Sequence, residues 1–270
     1  MSGRVLVTGG SGAIGSVLRH ELPRSGWQVR SLDRVPPPDD APVEGVVGEV
    51  ADRALLDRVT AGTDAVVHLA AIPDEAPFEV ILASHVQATY EVLDAARRAG
   101  VRRVVYASSN HAVGFTPRTP LVGVGVRPRP DTFYGVGKVA AEALCSLYAD
   151  RYGLQVAALR IGSFLDRPRT RRHLSTWLSP GDLVALTVAC LTAPELHYAV
   201  VYGISANTRA WWDLEPGRAL GYEPQDDAEV YAEEILASTP EPDPDDVDHA
   251  FLGGSFAGPA FDIDQREHPR

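Results

Sequence analysis

The sequence predicts an α/β protein built on a doubly wound parallel sheet, and three observations predict it. Short β-branched and aliphatic runs alternate with stretches of helical apolar spacing along most of the 270 residues. The first run ends in a cluster of glycines that passes directly into a helical pattern. The fourth run, Ala65-Val66-Val67-His68-Leu69, is apolar but for one histidine, as suits a strand covered on both faces.

In chain order, Arg4-Val5-Leu6-Val7-Thr8 is expected to be the first strand, stopping at Gly9-Gly10-Ser11-Gly12-Ala13-Ile14-Gly15, after which Val17, Leu18 and Leu22 recur at helical spacing. In such a turn Gly9 bends the chain tightly, Gly12 lets backbone approach a pyrophosphate and Gly15 allows close packing of helix on strand. Free N–H groups at the helix start attract the phosphates. Gln28–Asp33 reads as the second strand, and Asp33 stands eighteen positions after Gly15, where a carboxylate accepts the adenosine ribose hydroxyls. The two signals together give a Rossmann-type fold and a preference for NAD; the neighbouring Arg34 is the residue that would draw a 2′-phosphate instead.

Beyond Pro36-Pro37-Pro38 a third strand is expected over 45–50, then a helix capped by Asp52 and carrying Leu55, Leu56 and Val59. After the fourth strand, in which His68 reads as a satisfied core or rim histidine, the pattern predicts a long helix over 78–100 and a fifth strand over 103–108. A helix to Tyr152, a sixth strand over 156–161, a helix from Ser179-Pro180-Gly181-Asp182 to about Leu191 and a strand over 199–202 follow. One domain, 1–270, is expected, with 1–162 mainly the dinucleotide-binding core and 163–270 mainly a small substrate-binding region. Trp211 and Trp212 read as packing residues, and the Pro- and Asp-rich run 239–248 as an extended surface tail placed to pack on a neighbouring subunit.

The net charge of −11 repels nucleic acid and anionic membranes, so an anionic partner needs a local cationic site. Cys145 and Cys190 have no metal-ligand or redox spacing and suit a reducing cytosol. The chain enters a strand at once, and apolar runs such as 183–191 are too short to span a bilayer. These features predict a soluble cytoplasmic protein.

The chemistry is expected at Phe133-Tyr134-Gly135-Val136-Gly137-Lys138. Tyr134 and Lys138, four apart on a helix, share a face, and an ammonium beside a phenol lowers its pKa and favours a general base. Taken alone, such a pair is more often a buried aromatic beside a lysine stem. Three further features share the strand carboxyl edge with it. Ser108-Ser109-Asn110-His111 ends the fifth strand and Gly162-Ser163 ends the sixth. The loop Arg167-Pro168-Arg169-Thr170-Arg171-Arg172-His173 packs four arginines into an acidic protein, and one guanidinium from it would fit a carboxylate as a fork.

The order Thr8 to Gly15, Ser109, then Tyr134-x-x-x-Lys138 resembles the extended short-chain dehydrogenase/reductase family over about residues 4–261. The strings Ser109-Asn110-His111, Arg160-Ile161-Gly162-Ser163, Leu174-Ser175-Thr176-Trp177 and Trp211-Trp212-Asp213 look like the branch of that family that oxidises hexuronic acids. The resemblance implies NAD-dependent oxidation of C1 of a sugar acid to its lactone by a homo-oligomer that uses no metal. It implies Ser109, Tyr134 and Lys138 as the catalytic set. Cofactor contacts are implied from Gly9, Gly12, Ala13, Ile14, Gly15, Asp33, Glu49, Val50, Leu69, Ala70, Ala71, Tyr134, Lys138 and Ile161, and substrate contacts from Ser109, Asn110, His111, Tyr134, Ser163 and Arg172. Two positions depart from the pattern: Pro73 stands where a serine commonly faces the substrate, and Glu49 where an aspartate commonly sits beside the adenine. A nucleotide-sugar epimerase or dehydratase shares these motifs but usually carries a longer C-terminal region. A dinucleotide-sensing protein shares the fold but has no use for the Ser-Tyr-Lys set.

Overall fold

The β-branched runs become one seven-stranded parallel sheet in the computed structural model, which describes residues 3–37, 41–241, 243 and 246–262. The strands are β1 (Arg4–Thr8), β2 (Gln28–Asp33), β3 (Glu44–Val47), β4 (Ala65–His68), β5 (Arg103–Ser109), β6 (Gln155–Ile161) and β9 (Tyr198–Gly203), in the order β3-β2-β1-β4-β5-β6-β9. A two-stranded ribbon, β7 (Ser163–Phe164) with β8 (Trp177–Leu178), lies outside it. Thr8 is level with Leu32 on one side and His68 on the other, so the order reverses beside β1. That crevice at the strand carboxyl ends is where such sheets bind ligands.

Period-two alternation sorts β1 between two cores. Val5 and Val7 face α1 (Ala13–Arg24) and α7 (Pro180–Thr192) through Leu18, Leu22, Leu183 and Leu186. Leu6 turns to the opposite face, where α2 (Arg53–Thr60), α4 (Ala88–Ala99) and α5 (Phe133–Tyr152) contribute Leu55, Leu56, Val92, Leu93 and Ala141. Asp52 and Ser179 cap α2 and α7 by accepting the amides of Leu55 and Asp182. His68 is satisfied between Thr8 Oγ1 at 2.7 Å and Thr89 Oγ1 at 3.3 Å. Cys145 and Cys190 are buried free thiols, and burial raises the pKa of both, Cys190 to about 12.

Four expectations need correction. The third strand ends at Val47, because the Gly48 amide closes onto the Asp33 carbonyl and leaves Glu49 and Val50 beyond the ladder. The fourth ends at His68, although the Leu69 amide still reaches the Thr8 carbonyl at 3.1 Å. The helix expected over 78–100 is broken: α3 (Phe78–Ile81) leads into a π-helical turn, Leu82–Gln87, before α4. In the run 239–248, residues 242, 244 and 245 lie outside the described residues. From Asp246 the chain returns to its own body through the turn Val247–Ala250, and Leu252 is fully buried with Trp211, Trp212, Tyr202 and Val122. Phe251 pairs with Pro117, so apolar burial and backbone pairing tie this strap to the chain's own body. The tryptophans pack as expected, Trp212 stacking on Tyr202 with ring centres 5.2 Å apart.

Candidate active site

The glycine turn leaves space only where a dinucleotide would use it. Gly9 has φ of 73°, and a Cβ there would lie 2.7 Å from the Ala70 amide nitrogen, while a Cβ at Gly15 would lie 2.3 Å from the Gly9 carbonyl oxygen. At Gly12 the nearest atom is 3.4 Å away, and no side chain caps the α1 amides, so the helix start is open to phosphate. Asp33 is aimed across this turn, with Oδ2 accepting from the Ser11 amide at 2.9 Å and Oδ1 from the Val35 amide at 3.3 Å. Arg34 is exposed. Ala13 and Ile14 open α1; Leu69, Ala70 and Ala71 leave β4 on the same edge, and Ile161 ends β6 there. Glu49 is exposed and Val50 half-buried past β3. These residues could hold an adenine dinucleotide, the open start of α1 its diphosphate and Asp33 its ribose.

Helix α5, which carries Tyr134 and Lys138, begins under two caps. Thr132 accepts from the Gly135 amide, and the Glu75 carboxylate takes the amides of Phe133 at 3.1 Å and Tyr134 at 2.6 Å. Glu75 escapes sequence reading because it caps from 58 residues away, a spacing that no local pattern encodes. Lys138, 4% exposed, donates to the Ala107 carbonyl at 2.7 Å and stands 5.3 Å from the ring centres of Tyr134 and Tyr106. Ser109 hydrogen-bonds the Tyr134 phenol. One turn on, Glu142 is gripped by Arg160 at 2.8 and 3.0 Å and by Ser108 at 2.5 Å.

The expected depression of the phenol pKa is not what this geometry gives. Burial pushes Tyr134 up to about 12, with Asp74 and Asp131 adding to it, against the Ser109 hydrogen bond that lowers it. Burial also lowers Lys138 to about 7, only partly opposed by Glu142. Taking both groups out of water favours the neutral form of each. A stability prediction follows with a definite sign. Between about 7 in the folded chain and 10.5 in the unfolded one, the unfolded state holds the extra proton, so this group adds stability as pH rises through that window. Below pH 7 the full cost of burying the ammonium is present. Lys138→Met is therefore expected to abolish turnover yet melt higher at pH 6, by about 2–4 °C for each kcal/mol recovered, with the gain shrinking towards pH 10. Thermal melts of both proteins at the two pH values check it.

At the other end of the cleft the remaining expected residues converge. Asn110 Nδ2 donates to the Leu252 carbonyl at 3.2 Å, and Arg172 Nη2 donates to the same oxygen. Arg172 Nη1 is buried with no partner; the guanidinium lies 5.6 Å from the Trp211 ring centre, and burial lowers its pKa to about 10. His111 pairs with Asp131 at 2.8 Å, meets Tyr134 edge-on at 5.7 Å and stacks on Phe256 at 4.2 Å. Ser163 bonds Thr176 at 2.9 Å, and Thr176 in turn donates to the Arg172 carbonyl. The other arginines of the loop look elsewhere: Arg167 pairs with Glu234, Arg171 with Glu241 and two carbonyls, and Arg169 is exposed. Pro73 is exposed between β4 and α3. Asp131, Leu252 and Phe256 were not singled out in the sequence, and only the Thr132 cap beside Asp131 hints at any of them.

Residues 5–179 match the NAD dependent epimerase/dehydratase family. Over 254 residues the chain is 41% identical to the uronate dehydrogenase of Agrobacterium fabrum, covering 94% of this chain and 96% of that one. The chain belongs to the uronate dehydrogenase family. A second uronate dehydrogenase, from Pseudomonas syringae pv. tomato, is 38% identical over 96% of this chain and 95% of its own length. Among solved structures, a mutant uronate dehydrogenase of Agrobacterium tumefaciens complexed with NAD is similar with a TM-score of 0.90 and 40% identity, covering 97% of this chain and 99% of that one.

Proposed function

We propose that the enzyme oxidises C1 of a cyclic hexuronic acid, glucuronate or galacturonate, to the aldarolactone with NAD as hydride acceptor. The observation that carries this reading is the buried, unpartnered Arg172 Nη1 on the same sheet edge as Ser109, Tyr134 and Lys138. A desolvated guanidinium donor without a partner suits a carboxylate, and the fork geometry of arginine suits it in two-point contact. Bound NAD supplies the hydride acceptor and, through its positively charged ring, a cation that favours the phenolate. Tyr134 takes the C1 hydroxyl proton, Ser109 holds the reacting oxygen, and Lys138 binds the nicotinamide ribose while its charge offsets the phenolate's. Asn110, His111 and Ser163 orient the sugar, so residues after 162 serve mainly the substrate and those before it mainly the cofactor. Exposed Phe78, Val80, Leu82, Val136 and Leu147 along α3, the π turn and α5 support assembly as a homo-oligomer.

A panel of uronates, neutral aldoses and UDP-sugars with NAD and NADP, read by reduced-cofactor absorbance, tests the assignment; turnover of UDP-sugars in place of uronates would overturn it. In the same plate kcat/KM should favour NAD, because the Asp33 carboxylate repels a 2′-phosphate as well as accepting ribose hydroxyls. A ratio favouring NADP would mean that Arg34 faces the ribose instead.

A further inference from the structure

Oxidising an alcohol with NAD releases one proton, and the fold provides a way out for it that the reaction chemistry above does not use. His85 lies in the π-helical turn Leu82–Gln87 and is fully buried against the catalytic helix. Its ring meets the Tyr134 ring edge-on with centres 5.2 Å apart, and a Cβ added at Gly137 would come within 2.9 Å of the His85 Cβ. Its Nε2 is buried and has no partner, while Nδ1 lies 2.8 Å from the hydroxyl of Ser84, which is partly exposed. The Ile81 carbonyl also takes a hydrogen bond from the ring. With Nε2 unpartnered, the ring proton sits on Nδ1 and a bare lone pair is left on the inner side. A π-helical turn, rare and frequent at functional sites, is what turns this side chain inward.

We propose that His85 and Ser84 relay to solvent the proton that Tyr134 and Lys138 receive in each turnover, a proposal that rests on the oxidation read above. The neighbouring groups offer no comparable route. Tyr106 is buried and its hydroxyl has no partner to pass a proton to; His111 is held by Asp131; and His68 is closed between two threonines. In the relay, Nε2 accepts a proton from the Lys138 side, through water where the gap requires it, and Nδ1 gives up its own proton to the Ser84 oxygen. Ser84 then releases its hydroxyl proton to bulk water. One proton enters and one leaves, no electrons move, and a reorientation of the ring that carries the protonated nitrogen to the Ser84 side, followed by exchange with water there, readies it for the next turnover. Burial, with the Lys138 charge nearby and against the bond to the Ile81 carbonyl, lowers the His85 pKa to about 3, so the imidazole is neutral at pH 7 and passes protons without storing one.

The test follows a single turnover in weak buffer, reading reduced-nicotinamide absorbance and proton release to an indicator dye together. Wild type should release the proton with the hydride step. In His85→Ala proton release should lag by about 100-fold, the low end of what proton-transfer groups contribute, and added free imidazole should remove most of the lag. Ser84→Ala should show a smaller lag. The cavity left by His85→Ala should lower the melting temperature, so the kinetics are read well below it, where NAD affinity should stay close to wild type. Proton release that still coincides with absorbance in His85→Ala, or a lag indifferent to imidazole, would overturn the relay and leave His85 a packing residue. Every alcohol oxidised by NAD releases the same proton, so the arms are read on whichever sugar the wild type turns over; absence of uronate turnover would then sink the substrate assignment alone.

Discussion

Tyr134→Phe is expected to lower turnover by about 100- to 10,000-fold, the range typical of a lost general base, with fold and NAD affinity retained. The phenyl ring preserves the edge contacts with His85 and His111, and the backbone caps from Glu75 and Thr132 do not involve the phenol. What disappears is one buried hydroxyl and its bond to Ser109, whose oxygen still accepts from the His111 amide at 3.3 Å. Steady-state kinetics with a cofactor-binding titration decides the matter. Retention of more than a tenth of wild-type turnover would mean that another group takes the C1 proton.

Arg172→Ala is expected to raise KM for uronates by an amount corresponding to about 2–5 kcal/mol, since it strands a desolvated carboxylate, while NAD affinity changes little. Arg172→Lys should recover only part of the loss, because an ammonium keeps the charge without the planar two-point fork. Neutral aldoses, where turned over, should be nearly indifferent. The comparison is needed because Arg172 also holds the Leu252 carbonyl and packs on Trp211. Equal losses on glucuronate and glucose would show that it shapes the strap rather than binding the acid. Attention would then move to Arg118, whose guanidinium lies 4.4 Å from the Trp211 ring centre, because Arg171 is committed to carbonyls and Arg169 faces solvent.

What could be read in the sequence was what short-range pattern encodes. The strand, glycine turn and helix at 4–24, Asp33 at the end of β2, the Asp52 and Ser179 caps and the Tyr134–Lys138 pair each depend on residues within a few positions of one another. The π turn did not show, because what Ile81 and His85 pack against there, Gly137 of α5, lies more than fifty residues on in the chain. Glu75 and Leu252 act on groups 58 and 142 residues away, so nothing local marks them. The direction of the Tyr134 shift escapes the sequence for a related reason: proximity to Lys138 follows from spacing, whereas burial of both follows only from how the sheet, α5 and the π turn close around them.

The strap that returns over the pocket at 246–257 gives the two ends of the cleft separate ancestries along the chain. The residues proposed for the adenosine half lie between 9 and 71, whereas those proposed for the sugar end, Asn110, His111, Ser163 and Arg172, sit with Trp211, Leu252 and Phe256. On that reading, changes confined to the sugar-side residues Ser163, Arg172, Trp211 and Phe256 would leave the glycine turn and Asp33 as they stand, whereas α7 (Pro180–Thr192), packed on α1, is tied to the nucleotide half. Selection acting on diet and selection acting on redox currency would leave their marks in different stretches of the gene.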